Sequence, residues 1–215
     1  ISLLMASSKP FISPSFSYET LEETLDIKPK GAELCIGIPK ENSFNENRIA
    51  LTPDAVGVMI ANGHQVVVET KAGDGASYTD KDYSEAGAKI AYDKKEVFEC
   101  DIIVKSAPVS EMECELLKPN QFIISPIHMA VMKREILQKM MDKKITALSF
   151  ENLKDDSGHN PIVRSMSEIA GSAVMLIAGQ YLSKTNNGKG VLVGGISGIP
   201  PTKVIIIGAG IVGEY

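Results

Sequence analysis

The residue types able to do chemistry in this 215-residue sequence cluster at the ends of apolar runs. Arg48 stands in Asn45-Glu46-Asn47-Arg48, between an expected first strand and first helix. Open α/β sheets bind ligands at that edge, and a planar, permanently charged guanidinium there suits two-pronged capture of a small carboxylate. The competing arrangement is a surface ion pair with Glu41 or Glu46, and spacing favours neither. Lys105 ends the apolar run Asp101-Ile-Ile-Val-Lys105, and His128 ends Phe122-Ile-Ile-Ser-Pro-Ile-His128. If these strands are parallel, both residues project at the edge that carries Arg48. An ammonium near a carbonyl oxygen stabilises developing negative charge, and a neighbouring cation keeps an imidazole near neutrality, where it transfers protons. Taken alone, a His at a strand end is more often structural; its pairing with Lys105 gives it a chemical reading. His64 and His159 fall in turn sequences and read as helix-end and loop residues.

Near the C-terminus, Val204-Ile-Ile-Ile207 runs directly into Gly208-Ala-Gly210-Ile-Val-Gly213. A β-branched strand followed by GxGxxG is the context of a dinucleotide-binding turn. The first Gly permits the bend, the second lets backbone N–H groups approach the pyrophosphate, and the third lets helix pack on strand. Ser165-Met166-Ser167-Glu168 reads as the first turn of a helix, with Ser and Glu as ordinary capping residues; the Ser167 hydroxyl there also suits a cofactor phosphate. The sequence stops at Tyr215, before the acidic residue about 20 positions on that binds the ribose in such sites. The expectation is therefore a fragment with an incomplete dinucleotide site.

The elements that must position these residues follow from periodicity. Short β-branched runs alternate with helical-period segments, which implies an α/β fold with a mostly parallel, doubly wound sheet. Strands are expected over 35–39, 65–69, 90–92, 101–105, 122–125 and 145–150, and helices over 53–62, 81–85, 131–142 and 167–182. Thr52-Pro53 and Asn62-Gly63 punctuate the first helix at its two ends. The implied organisation is an arm over 1–32, a substrate domain over 33–165, a connecting helix and linker over 166–202, and the start of a Rossmann-type domain over 203–215.

Composition narrows the function classes. With 44% hydrophobic residues the chain is not intrinsically disordered, and 22 basic against 27 acidic residues give a net charge of −5 without a basic stripe, so nucleic acid is a poor partner. Cys35, Cys100 and Cys114 form no CxxC pair and are odd in number, so neither a disulfide framework nor a metal site is indicated and a reducing cytoplasm fits. The longest apolar stretch, 169–179, falls short of the ~20 residues of a membrane span. Residues 1–30 have no clean secretory-signal pattern. Met132, Met140 and Met141 read as packing and surface residues without metal significance.

In their order, GIPKE, NENRIALTP, NGHQVVVET, DIIVKSAP, the His128 region, SMSEIAG and GGISGIPPTKVIIIGAGIVG resemble the alanine dehydrogenase and nicotinamide nucleotide transhydrogenase alpha-subunit family over about residues 35–213. The resemblance implies two doubly wound domains with a cleft between them, NAD as cofactor, and a hexamer. The segment at Ser167 and the Lys105 and His128 pair look like the alanine dehydrogenase branch, whose reaction interconverts L-alanine with pyruvate and ammonium. By position, Arg48 resembles the substrate-carboxylate ligand, Lys105 the group on the carbonyl oxygen, and His128 the acid/base. Met166 and Ser167 look like residues near the nicotinamide end or phosphates of the cofactor. One departure stands out: the family's Lys lies in a Lys-Val-Lys-Glu-Pro-like run, shortened here to Val104-Lys105-Ser-Ala-Pro108. The alternatives are the transhydrogenase subunit, passing hydride between two nicotinamide nucleotides, and a non-catalytic fragment that folds, assembles or binds a small acid.

Overall fold

Six apolar runs pair into one sheet in which every described strand is parallel to its neighbours. The computed structural model describes residues 33–42 and 46–215, so the arm expected over 1–32 lies outside the described residues. The strands are β1 (Cys35–Ile38), β2 (Gln65–Glu69), β3 (Lys89–Ala91), β4 (Ile102–Val104), β5 (Phe122–Ser125) and β6 (Thr146–Ser149), in the order β3-β2-β1-β4-β5-β6. The helices are α1 (Pro53–Ala61), α2 (Asp80–Glu85), α3 (Lys94–Phe98), α4 (Glu111–Leu116), α5 (Arg134–Asp142), α6 (Pro161–Leu182) and α7 (Ile211–Glu214). This is the expected doubly wound α/β arrangement. The strand order reverses between β1 and β4, and a crevice opens at their carboxyl ends, where such sheets take ligands.

The central strands β2 and β4 read as continuous Val/Ile runs because both faces of the sheet are covered there, whereas the edge strand β6 is largely exposed. Val66 and Val68 join Ile36, Ile38, Val56 and Tyr83 on one face, while Val67 joins Val97, Phe98, Ile103 and Ile123 on the other. On that second face β1 presents Gly37: a Cβ there would overlap the Val97 carbonyl oxygen and lie 2.9 Å from Ile103 Cδ1. Helix α3 can therefore sit directly against the central strand.

Local signals start and stop the helices. The Thr52 side chain accepts from the Ala55 N–H at 3.4 Å with Pro53 in the first turn, and Gly63 turns the chain at φ +88. Helices α3 and α4, five and six residues long, were not anticipated, since so few residues show no hydrophobic period. Their caps were nonetheless legible: Asp93 accepts from the Lys95 N–H, and Ser110 with Glu113 forms a reciprocal capping box.

Other boundaries differ from expectation. Helix α5 begins at Arg134 rather than 131, because the N–H groups of Val131 and Met132 both donate to the His128 carbonyl in a turn. Helix α6 begins at Pro161 rather than 167, with Asn160 at its cap position and Pro161 in its first turn. Ser167 and Glu168 are consequently interior helical residues, not caps. The Ser167 hydroxyl donates to the Val163 carbonyl at 2.9 Å, and Glu168 accepts from Arg164 Nε at 2.9 Å. At 22 residues α6 is long and apolar enough to cross a membrane by length and composition, unlike the shorter run read from the sequence. It packs along the C-terminal segment, where a Cβ on Gly171 would lie 2.7 Å from the Val212 carbonyl oxygen.

The strand expected over 204–207 is not formed. Its four side chains are 52–98% exposed and it joins no ladder among the described residues. β-branched propensity alone does not make a strand when no neighbour takes its N–H and C=O groups. No disulfide framework was indicated by the cysteine spacing, yet Cys35 and Cys100 are joined in a disulfide, because Cys35 opens β1 and Cys100 stands two residues before its neighbour β4, although 65 residues apart in the chain. Cys114 is free and buried.

The fully buried Ile103 packs at the centre of the sheet. Ile103→Ala is expected to lower unfolding stability by about 2–5 kcal/mol through lost burial and a residual cavity, measured by urea denaturation followed by circular dichroism.

Candidate active site

The crevice between β1 and β4 is built on charge. Glu41 follows β1, and its Oε1 accepts the N–H groups of Ser106 at 2.6 Å and Ala107 at 3.1 Å, just beyond β4. Its Oε2 receives Lys105 Nζ at 2.6 Å, and the same ammonium donates to Glu113 Oε1 at 3.0 Å. Lys94 Nζ reaches that Glu113 oxygen at 3.1 Å, the Lys40 carbonyl at 2.8 Å and Glu69 at 3.6 Å. The Lys105 side chain is only 1% exposed. Burial disfavours the charge on Glu113, but Lys105, the Ser110 N–H and Lys94 hold its carboxyl below the usual range. Sequence reasoning missed this network. Its legible trace was the capping box, in which Glu113 Oε2 accepts from the N–H and hydroxyl of Ser110 while Oε1 remains for the lysines.

Arg48 resolves the open pairing in favour of Glu46. Its Nε donates to Oε1 at 2.8 Å and its Nη2 to Oε2 at 2.6 Å. That two-pronged bond lowers the Glu46 carboxyl pKa and raises the Arg48 guanidinium, which stays charged. A guanidinium has five N–H donors, and this grip uses two of them. The side chain is 55% exposed, so its remaining donors stay accessible. Arg48 and Lys105 both line a cavity of about 450 Å³, closed by Ile49, Ile124, Phe150 and Met166 of α6.

His128 occupies the turn after β5, at the same sheet edge, with a left-handed φ of +47 and its side chain 54% exposed. It is not among the residues lining the Arg48 and Lys105 cavity. Glu151, in the short 3₁₀ turn after β6, pins this segment: its Oε1 accepts the N–H groups of Ile127 at 2.9 Å and His128 at 2.8 Å, and lies 3.8 Å from the His128 Nδ1. Burial opposes ionisation of Glu151, yet hydrogen bonds from the Ser149 side chain and from backbone N–H groups, those of His128 and Ile127 among them, bring its carboxyl down to about 2. No sequence signal singled out Glu151, since its partners lie more than 20 residues away.

A second cavity, of about 630 Å³, lies between α6 and the glycine turn and includes Ser167, Gly208, Gly210 and Gly213 in its lining. The three glycines differ in their surroundings. Gly208 adopts φ +113, a Cβ on Gly210 would meet nothing within 4 Å, and a Cβ on Gly213 would overlap the Gly208 carbonyl oxygen. Gly210 precedes the first residue of α7, so open space faces a helix N-terminus. That combination fits a phosphate-bearing dinucleotide. Met166 and Ser167, adjacent on α6, line the first and the second cavity respectively.

The family description "Alanine dehydrogenase/PNT, N-terminal domain" matches residues 37–170, and "Alanine dehydrogenase/PNT, C-terminal domain" matches residues 173–215. The chain is 40% identical over 181 residues to the alanine dehydrogenase of Methanococcus maripaludis, covering 84% of this chain and 48% of that protein. It is 37% identical over 175 residues to the alanine dehydrogenase of Staphylococcus epidermidis, covering 81% and 47%. The chain thus spans about half the length of the curated relatives it matches. Among solved structures, an L-alanine dehydrogenase aligns with a TM-score of 0.80 at 34% identity, over 84% of this chain and 50% of that one. A transhydrogenase from Sinorhizobium meliloti aligns less well, with a TM-score of 0.60 at 23% identity over 68% of this chain and 44% of its own, and shares the fold. With its residues 37–170 and 173–215 matching the two domain descriptions, the chain belongs to the alanine dehydrogenase/PNT family.

Proposed function

We propose that the protein, at the length of its relatives, is an NAD-dependent alanine dehydrogenase, an oxidoreductase that converts L-alanine, NAD⁺ and water reversibly to pyruvate, ammonium, NADH and a proton. The observation that carries this reading is the placement of α6. Its Met166 lines one cavity together with Arg48 and Lys105, which supports binding of a small carboxylate, while its Ser167 lines the cavity of the glycine turn, which supports binding of a dinucleotide. The reading extends to a cytoplasmic homo-oligomer, a hexamer as the family resemblance implies, with small-molecule partners only. In this reading the substrate domain spans 33–165, a connecting helix and linker 166–202, and the start of the cofactor domain 203–215; that the two family descriptions meet within α6 supports a division near that helix.

In this reading Gly208, Gly210 and Gly213 receive the pyrophosphate, and Met166 and Ser167 border the cofactor on the substrate side. Acceptance and return of hydride is the chemistry that NAD supplies when bound. The unshared N–H groups of Arg48 take the substrate carboxylate, while Glu46 keeps the guanidinium plane fixed. Lys105 directs an N–H at the carbonyl or carbinolamine oxygen; with Glu41 and Glu113 already on its ammonium, it works as an oriented donor more than as a bare charge. His128 takes the proton released as the carbinolamine collapses and returns it in the reverse direction.

The direct test is oxidation of NADH by the full-length protein in the presence of pyruvate and ammonium. Hydride exchange between two nicotinamide nucleotides without that activity overturns the proposal. Arg48→Lys is expected to raise the KM for pyruvate about ten-fold or more by losing the planar fork, and unchanged pyruvate kinetics remove the carboxylate role. His128→Ala should lower turnover by about 10²–10⁴-fold with NADH affinity unchanged, and full turnover removes the acid/base role. Because the folded pKa of Glu151 is depressed, its carboxylate stabilises the fold above its ordinary value of 4.5, and that contribution is lost as pH falls toward about 2. Glu151→Gln should therefore cost on the order of 1–3 kcal/mol at neutral pH, a difference that shrinks across that acid range in urea titrations.

A further inference from the structure

The three cysteines divide by position. Cys35 opens β1 and Cys100 stands two residues before β4, its neighbour in the sheet; their Cα atoms are 4.8 Å apart, within the span that a disulfide requires. The fold sets this distance independently of the bond. The Cys35 N–H donates to Asp101 Oδ2 at 2.8 Å, the Asp101 N–H donates to the Cys35 carbonyl at 3.0 Å, and Ile36 pairs with Ile102 in the ladder. Cys100 is 3% exposed and lines a cavity of about 510 Å³ at the amino-terminal edge of the sheet, among Leu34, Asp101, Lys118 and Gln121. Cys114 differs in kind: it is buried against the Ile136 carbonyl, and burial pushes its thiol up.

We propose that Cys35 and Cys100 form a reversible thiol–disulfide site, closed by a low-molecular-weight disulfide such as oxidised glutathione and opened by thiols. One cysteine thiolate attacks the glutathione disulfide, breaking its S–S bond, forming a mixed disulfide and expelling one glutathione thiolate. The second cysteine thiolate then attacks the protein sulfur of that mixed disulfide, forming the Cys35–Cys100 bond and expelling the second glutathione. The two cysteine protons end on the two glutathione thiols; the protein loses two electrons and the reagent gains them. The bond ties together the starts of the two strands whose other ends carry Glu41 and Lys105, so closure stiffens the pair of strands on which the crevice is built. It also closes a long loop, which restricts the unfolded chain. The site is independent of the dehydrogenase reading, and neither of its readouts uses catalysis.

The test is a thiol count on the 215-residue chain, reduced, freed of reductant, treated with oxidised glutathione at pH 8 and titrated in denaturant after acid quenching. The expected result is a fall from three thiols to one, no retained glutathione by mass, a peptide map joining Cys35 to Cys100, and full recovery with dithiothreitol. The closed form should melt at least about 5 °C above the reduced form. Cys114→Ser should keep the response, while Cys35→Ser and Cys100→Ser each abolish it; Cys35→Ser, at the less buried position, serves if Cys100→Ser fails to fold. Three thiols persisting in the folded protein, glutathione retained without closure, or equal melting of the two forms overturns the proposal.

Discussion

Everything at the crevice depends on one buried ammonium shared by two carboxylates. Lys105 leaves β4, Glu41 leaves β1, and Glu113 arrives on a short helix, so the end of β1 is tied at a single nitrogen to the end of β4, 64 residues on, and to a helix 8 residues further along. Taking such charges out of water costs several kcal/mol per ion, and the arrangement holds because every partner is supplied: backbone N–H groups on Glu41, the Ser110 cap and Lys94 on Glu113. A buried network of this kind is a poor source of net stability but a strict specifier of geometry, since removing one member strands the others. It fixes the strand ends where a doubly wound sheet takes its ligand, and leaves Arg48 at the rim with donors to spare.

The second organising piece is α6. It runs past both cavities, offering Met166 to one and Ser167 to the other, residues about 100° apart around the helix axis. The glycine turn packs on the same helix, with Gly171 letting the backbone of Val212 approach α6, while Gly213 lets the turn fold against its own Gly208 carbonyl. The two cavities thus share one wall, and that wall is a single helix.

The sequence was most informative where local rules coincide with the tertiary answer. The Val/Ile runs of β1, β2 and β5, the Thr52-Pro53 helix start and the glycine spacing each specify their own structure within a few residues. Arg48 and Lys105 were legible as strand-edge cations, and the cavity does bring them together. What escaped was non-local. Nothing near Glu151 in the chain says that it holds the His128 turn, and nothing near Cys35 points to Cys100. The error at 204–207 has the same origin in reverse: its residues favour a strand, but strand formation is a property of pairs, and no described neighbour supplies the other half. The start of α6 was missed for a local reason, because Pro161 marks a first turn more firmly than the serines that follow it.

The adjacency of Met166 and Ser167 has a mechanical corollary. Two sites that share one rigid wall cannot be tuned separately: a slide or roll of α6 that enlarges the space beside Arg48 and Lys105 also displaces the wall facing the glycine turn. The position of one helix thus enters the shape of both cavities, without a relay of intervening side chains.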